Sequence, residues 1–175
     1  MDRRLRPFAA ALYEALDLRR TELGLSWRQV ADSLWGLSAE LNSQRKDHPI
    51  SPSTLANMGR TSRTSCQHAL FILRWLGRTP ESFLKGAPED AGLALPAAGP
   101  DRRLRWDLKA LYAAMDEQRR SDGATWSQVG TALRCTPNRL TALRTAKFAT
   151  DMDLAMRIVQ WLRRPAADFV VAARW

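Results

Sequence analysis

An internal repeat is the strongest constraint on the fold of this 175-residue chain. Three motifs recur at an offset of 99 residues: RRLR at 3–6 and 102–105, LYEALD at 12–17 and LYAAMD at 111–116, SWRQV at 26–30 and TWSQV at 125–129. Two later matches have offsets of 85 and 86: SPSTL at 51–55 with TPNRL at 136–140, and RWLGRTPESF at 74–83 with QWLRRPAADF at 160–169. This pattern indicates a duplication followed by divergence, so we expect two units of one fold.

The change of offset from 99 to 85 means that the first copy carries 14 additional residues between its second and third elements. We assign this insertion to residues 35–50, which stand where the second copy has only the two-residue turn of Arg134 and Cys135. Between the copies, residues 86–100 are rich in Gly, Ala and Pro and contain no basic residue, which is typical of an exposed linker. The predicted organisation is a first domain at 1–86, a linker at 87–100 and a second domain at 101–175.

Apolar residues follow a helical spacing in the first and fourth segments of each copy. The first helix is predicted from Leu5, Phe8, Ala9, Leu12, Leu16 and Leu23, and in the second copy from Leu104, Leu108, Leu111 and Met115. The fourth helix is predicted from Cys66, Ala69, Leu70, Leu73 and Leu76, and from Met152, Ala155, Met156, Val159 and Leu162. A short fifth helix is expected around Phe83 and Phe169. Because no segment alternates with a period of two, the predicted fold class is all-α with almost no sheet.

Hydroxyl side chains mark the starts of the second and third helices. Ser26 and Thr125 are suitable N-caps for the second helix. Ser-Pro at 51–52 and Thr-Pro at 136–137 place a capping hydroxyl before a proline, which loses no hydrogen bond at the first helical position. The third helix is therefore predicted to start there in both copies.

The third helix of each copy is predicted to expose a polar face. An apolar pair fixes one side of it to the core: Leu55 with Met58 in the first copy, and Leu140 with Leu143 in the second. The opposite side then presents Ser53, Thr54 and Asn57, or Asn138, Arg139 and Ala142.

The formal net charge of +9 is spread over both copies, since residues 1–86 carry +5 and residues 101–175 carry +6. A basic surface attracts phosphate backbones and releases their condensed counterions. Because Arg and Asp interrupt the apolar runs, we expect no membrane span and no signal peptide. We therefore expect a cytoplasmic, nucleoid-associated protein.

The sequence offers no candidate catalytic or metal-binding group. Cys66 and Cys135 are far apart and have no Cys or His neighbour at a metal-ligand spacing, so each is expected to be a small buried residue. His48 and His68 belong to no nucleophile–base pair, and no glycine-rich phosphate loop is present. We expect a protein that is not an enzyme and that uses no metal or cofactor.

The order of these elements resembles the Cro/CI (XRE-type) helix-turn-helix family. The matching segments are SWRQVA, ISPSTLANMGR and HALFILRWLG in the first copy, and TWSQVG, CTPNRLTALRT and LAMRIVQWLR in the second. The resemblance covers nearly everything except the linker and the insertion. It implies two tandem five-helix lambda-repressor-like domains.

The resemblance also implies roles for side chains. In this family the third helix lies in the major groove while the second crosses a phosphate backbone. It assigns base reading to Ser53, Thr54, Asn57, Asn138 and Arg139. It assigns phosphate contacts to Arg60, Arg63, Arg144 and Lys147. Arg139 is the favoured reader, because an arginine can bond a guanine edge with two hydrogen bonds.

The chain departs from the family pattern at two places. Trp27 and Trp126 replace the glutamine that often follows the cap of the second helix; we interpret each as packing on the first or fourth helix, with stacking on a base or sugar as the alternative. The insertion at 35–50 also interrupts the first copy, where the spacing of Leu34, Leu37 and Leu41 predicts a longer second helix. The second copy, with only a short turn there, is the safer DNA reader.

Three interpretations of the insertion remain open from the sequence. The first interpretation is a surface for a protein partner, and the second is a surface loop without a role. The third is a wing that touches phosphates through Arg45 and Lys46. None of them follows from residue type alone.

The leading hypothesis is a sequence-specific, repressor-like transcription regulator that binds double-stranded DNA with its two units acting as a pseudo-dimer. Half-sites would lie about 34 Å apart, and the 15-residue segment 86–100 can span up to about 50 Å when extended. A homodimer with four units is also compatible with the sequence. The alternative function is an adaptor or anti-repressor that keeps the scaffold but binds a protein partner.

Overall fold

The computed structural model describes residues 8–45, 50–146 and 151–174, and this part of the chain is mainly helical. The first repeat contains α1 (Phe8–Glu22), α2 (Trp27–Gly36), α3 (Ala39–Ser43), α4 (Pro52–Thr61), α5 (Cys66–Leu76) and a 3-10 turn (Pro80–Phe83). The second repeat contains β1 (Arg103–Trp106), α6 (Leu108–Ser121), α7 (Trp126–Leu133), α8 (Pro137–Thr141), a 3-10 turn (Ala142–Arg144), α9 (Met152–Leu162), a 3-10 turn (Ala166–Phe169) and β2 (Val170–Ala173). The predicted third helix is thus α4 or α8, and the predicted fourth helix is α5 or α9.

The predicted caps of the second helix are present in both repeats. The Ser26 hydroxyl accepts a hydrogen bond from the backbone of Gln29, whose side chain accepts one from the Ser26 backbone in return. Thr125 and Gln128 make the same reciprocal pair at the start of α7. These pairs satisfy backbone donors that a helix start would otherwise leave open.

The mainly helical fold class is confirmed, but the sheet content is not nil, because β1 and β2 pair as a small two-stranded antiparallel sheet. Leu104, assigned from the sequence to the first helix of the second copy, lies in β1 opposite Ala172. All four residues of β1 are buried on the face of α5. Arg103 and Arg105 alternate with Leu104 and Trp106, but a segment of four residues is too short to show the sustained alternation that predicts a strand.

The two repeats pack their elements in the same way. The first helix of each repeat lies against the segment of the third and against the fourth, and the second helix lies against the same two. Buried apolar residues of both repeats then join in one continuous core. Leu16, Leu55 and Leu70 line it in the first repeat, and Met115 and Leu140 in the second, all fully buried.

Several details of the predicted helices change. Leu5 lies outside the described residues, and Leu23 lies beyond the end of α1 with nearly half of its surface exposed. The predicted fifth helix is a 3-10 turn in both repeats, and it contains Phe83 or Phe169 as expected. Residues 87–100 contain no helix or strand.

The prediction of one longer second helix is wrong, because the backbone breaks at 37–38 and resumes as α3. The Ser38 hydroxyl, instead of capping α3, donates to the carbonyl of Arg102 at 2.6 Å. The Leu41 amide donates to Pro100, and the Asn42 amide oxygen accepts from the buried Arg103 guanidinium. The insertion therefore packs against the start of the second repeat.

Both cysteines are free, and Cys66 is buried as predicted while Cys135 is only partly so. Burial, followed by the charge of Asp151, raises the pKa of the Cys66 thiol. In the described part of the chain, every helix is too short or too polar to cross a membrane.

Candidate nucleic-acid interface

The polar face of α4 is presented by a well-defined helix start. The Ser51 hydroxyl accepts from the Thr54 amide, and Pro52 occupies the first turn. Leu55 and Met58 are buried beneath the helix. The predicted base readers of the first copy lie exposed on the opposite side: Ser53, Thr54 and Asn57.

The corresponding face of α8 is shorter. Thr136 stands at the N-cap as predicted, but its side chain makes no capping hydrogen bond within the described residues. Leu140 and Leu143 are buried, while Asn138 and Arg139 are exposed. After Thr141 the helix tightens into the 3-10 turn.

A short turn sets the angle between α7 and α8. Arg134 adopts the left-handed conformation with φ of 55°, and the Cys135 amide donates to the Gly130 carbonyl at 2.9 Å. A Cβ on Gly130 would lie 2.7 Å from the Cys135 carbonyl oxygen, so the two helices approach at a distance only glycine allows. The Arg157 guanidinium donates to the carbonyls of Leu133 and Arg134 and holds the same turn from α9.

The first repeat reaches the same helix pairing by a longer route. Although α3 and the rest of the insertion separate α2 from α4 in sequence, these two helices pack directly on each other. The insertion bulges away from the pair and does not divide it. Both repeats therefore hold a helix with an exposed polar face against the preceding capped helix.

Trp27 and Trp126 lie at the same place in each repeat, in a stack that sequence reasoning only partly predicted. Trp126 stacks on Tyr112 of α6 with ring centroids 5.5 Å apart, and Arg119 covers its other face at 4.8 Å. Trp27 stacks on Tyr13 of α1 at 5.8 Å under Arg20 at 4.6 Å. The interpretation that each Trp packs on the first helix is confirmed.

A carboxylate holds each of these arginines in place. Asp116 accepts from Arg119 at 2.7 Å, and Asp17 accepts from Arg20 at the same distance. All members of the two stacks are related by the offset of 99 residues, so the sequence already contained them as separate matches. The sequence does not show that these residues contact one another.

The predicted phosphate contacts fall in three groups. Arg60 and Arg63 lie exposed after the polar face of α4, and Arg60 donates to the Asn57 side chain at 3.2 Å. Arg144 is exposed at the end of the 3-10 turn. Lys147 lies outside the described residues.

A cleft of about 470 Å³ runs along the polar face of α4. Thr54, Asn57 and Arg63 line one side, and His68 and Asp151 line another. Burial lowers the pKa of His68. Sequence reasoning did not select His68 or Asp151 for this face, since Asp151 belongs to the second repeat and only the packing of the repeats brings it there.

We compared the chain with protein-family models, curated proteins and solved structures. None of them matches. In residues 8–45, 50–146 and 151–174, no group of three or more His, Cys, Asp or Glu side chains is placed to bind a metal ion.

Proposed function

We propose that this chain is a sequence-specific, double-stranded DNA-binding transcription regulator whose two helix-turn-helix units act as a pseudo-dimer. The observation that carries the proposal is the doubled presentation of a polar helix face. In each repeat an apolar pair buries one side of the helix and a capped helix packs behind it. Such a face fits the major groove, where Asn and Arg side chains bond base edges.

The basic residues around these faces support a phosphate-bearing partner. Arg63 borders the cleft beside Thr54 and Asn57, and Arg144 follows α8 within one turn. Both repeats carry net positive charge. Cationic side chains flanking a reading face supply the affinity, while the face supplies the sequence preference.

A protein partner at the insertion has less support. Ser38, Leu41, Asn42 and Ile50 of the insertion are buried in the chain itself. These four side chains are therefore not available to an outside partner.

The test is selection of the purified protein on random duplex pools, followed by titration of the best site at several salt concentrations. We expect an enriched motif, with affinity that falls steeply as salt rises. Arg139→Ala should weaken binding about tenfold or more and relax one position of the motif.

Lys85→Ala is the matched control for loss of one positive charge. Lys85 lies beside Glu14 and Leu18 of α1, whereas α4 packs on the Tyr13 side of that helix. This variant should bind like the wild type. Absence of any enriched motif, together with salt-independent behaviour, would overturn the proposal and favour the adaptor.

A further inference from the structure

Equivalent residues of the two repeats meet each other inside the chain. Ser65 and Asp151, which are the N-caps of α5 and α9 and are related by the offset of 86, form an antiparallel bridge. The Met152 amide donates to the Thr64 carbonyl at 3.2 Å in the same place. Antiparallel pairing of equivalent positions places a local two-fold axis between them.

Two further sets of contacts agree with that axis. The Phe8 amide at the start of α1 donates to Asp153 of α9, and Gln67, the equivalent of Asp153, donates to Leu104 just before α6. Each repeat thus uses its N-terminal segment to contact the fourth helix of the other.

The third set lies at the 3-10 turns. The Glu81 carboxylate accepts from the Ala166 amide at 2.6 Å, and these residues lie in the equivalent turns of the two repeats. The repeats are therefore related by rotation, as in a symmetric dimer, and not by translation.

The axis determines where the polar faces point. Asp151, which lies at the axis, shares the cleft with Thr54 and Asn57 of α4, so the face of α4 borders the axis. A two-fold rotation keeps equivalent elements at the same height along its axis. The face of α8 consequently opens on the same side of the molecule as that of α4. Perpendicular to the axis, the two helices run in opposite directions.

A set of hydrogen bonds, here called the brace, joins the insertion to the start of the second repeat. The Arg74 guanidinium donates to the carbonyls of Leu37 and Ala98 at 2.7 Å and to the Ser38 hydroxyl at 2.9 Å. It also reaches the carbonyls of Gly99 and Arg102. One side chain of the first repeat thereby ties the insertion to the residues that lead into the second.

We propose that one chain occupies a single duplex site made of two unlike half-sites in inverted orientation, at one spacing that the insertion brace holds fixed. This inference rests on the proposed function, namely that α4 and α8 read duplex DNA. The half-sites are unlike because Ser53, Thr54 and Asn57 of one face correspond to Asn138, Arg139 and Ala142 of the other.

The experiment uses the full chain and the best duplex from the selection, rebuilt in several ways. One half-site is reversed to give a direct repeat, the spacer is lengthened by two or five base pairs, or one half-site is scrambled. We expect one chain per duplex on the selected site. Reversal, or five added base pairs that turn one half-site to the other side of the helix, should lower affinity at least about tenfold, to that of a single half-site.

Variants test the brace separately. Two added base pairs should also lower the affinity of the wild type, because the two polar faces are held at one spacing. Arg74→Met and the milder Ser38→Ala should reduce this loss at least about threefold while leaving the affinity for a single half-site unchanged. Arg78→Met is the matched control, because Arg78 covers the Phe83 ring and takes no part in the brace.

The outcomes separate this inference from the proposed function. An enriched motif that binds equally well after reversal or lengthening of the spacer, or that takes two chains per duplex, would overturn the inference and leave DNA reading intact. Failure to enrich any duplex would overturn both. Unchanged spacing dependence in folded Arg74→Met and Ser38→Ala would remove the role of the brace.

Discussion

Single residues decide how closely the helices of the candidate interface approach each other. Gly130 and Gly59 are both helical glycines, and a Cβ on either would penetrate a neighbour: the Cys135 carbonyl in one repeat and the Tyr13 ring in the other. A backbone carbonyl cannot move aside as easily as the end of a side chain can. Gly130 is therefore the more stringent of the two positions.

We expect Gly130→Ala to lower the free energy of unfolding by about 1–3 kcal/mol, since the added methyl group forces α7 and α8 apart. Gly36→Ala is the control: among the described residues nothing lies within 4 Å of its Cβ position. That change should be neutral or stabilising by up to about 1 kcal/mol. Urea unfolding measures both, and equal effects would contradict the packing argument.

His68 predicts a pH dependence of stability. Burial lowers its pKa from the ordinary 6.5, so the unfolded chain binds the proton more tightly than the folded chain. The contribution of neutral His68 to the free energy of unfolding should be fully present above pH 6.5 and should be lost as the pH falls below that value. Arg63 and Asp151 line the same cleft, and their opposite charges act on the imidazolium in opposite senses.

The measurement is urea unfolding of the wild type and His68→Gln between pH 7.5 and about 5. The carboxyl groups titrate in both proteins, so the difference between the two curves isolates the histidine. A difference that stays constant with pH would contradict this assignment.

Residue-level prediction from the sequence works where the cause is local. Ser26, Thr125 and Ser51 were predicted as caps and they are caps, because a capping hydroxyl acts within three residues of itself. Thr136 has the right residue type, yet its side chain is not used for capping. Asp151 at the cleft could not be predicted, since its position depends on how distant segments pack.

At the scale of elements, two stacked aromatic rings and an arginine connect the first helix of each repeat to the second helix. In the second repeat Tyr112, Trp126 and Arg119 lie one above another, and Asp116 holds the arginine. Arg119 also donates to the Ala124 carbonyl in the loop between the helices. The stack therefore fixes the start of α7, which precedes the candidate reading helix.

We expect Arg119→Ala to lower the free energy of unfolding by about 1–3 kcal/mol, because it removes a cation–π contact, an ion pair and a loop hydrogen bond together. The adjacent Arg120 also pairs with Asp116 but is 73% exposed. Arg120→Ala should change stability by less than about 0.5 kcal/mol. Thermal unfolding of the two variants gives the comparison, and similar losses would show that the stack contributes little.

Helical elements were largely predictable, and the strands were not. Helices carry their period in the sequence, as Leu12 and Leu16 do in α1. In β1 the residues Arg103 and Arg105 are buried between hydrophobic neighbours, so the segment looks like a basic helical stretch. Its pairing with β2 joins residues some seventy positions apart, which no local pattern records.

At the scale of the whole molecule, the two repeats share one core. The contacts between them include Ser65 with Asp151, Glu81 with Ala166 and the hydrogen bonds of Arg74. Where α5 contacts α9 and β1, the apolar residues of each repeat are covered by residues of the other repeat.

We expect the full chain to unfold in one cooperative transition, because breaking either repeat exposes the core of the other. Tryptophan fluorescence and far-UV circular dichroism should report the same midpoint in urea. Gly130→Ala should shift the entire transition, although it lies in one repeat. Two separate midpoints would contradict a shared core.

The Ser65–Asp151 contact also bears on how such a chain can change over generations. A protein of one unit that associated through this point would have to pair a residue with an identical copy of itself, so every substitution there would appear twice. In the fused chain a serine faces an aspartate. Duplication within one polypeptide has freed the interface from self-complementarity, and each half can now diverge against a fixed partner.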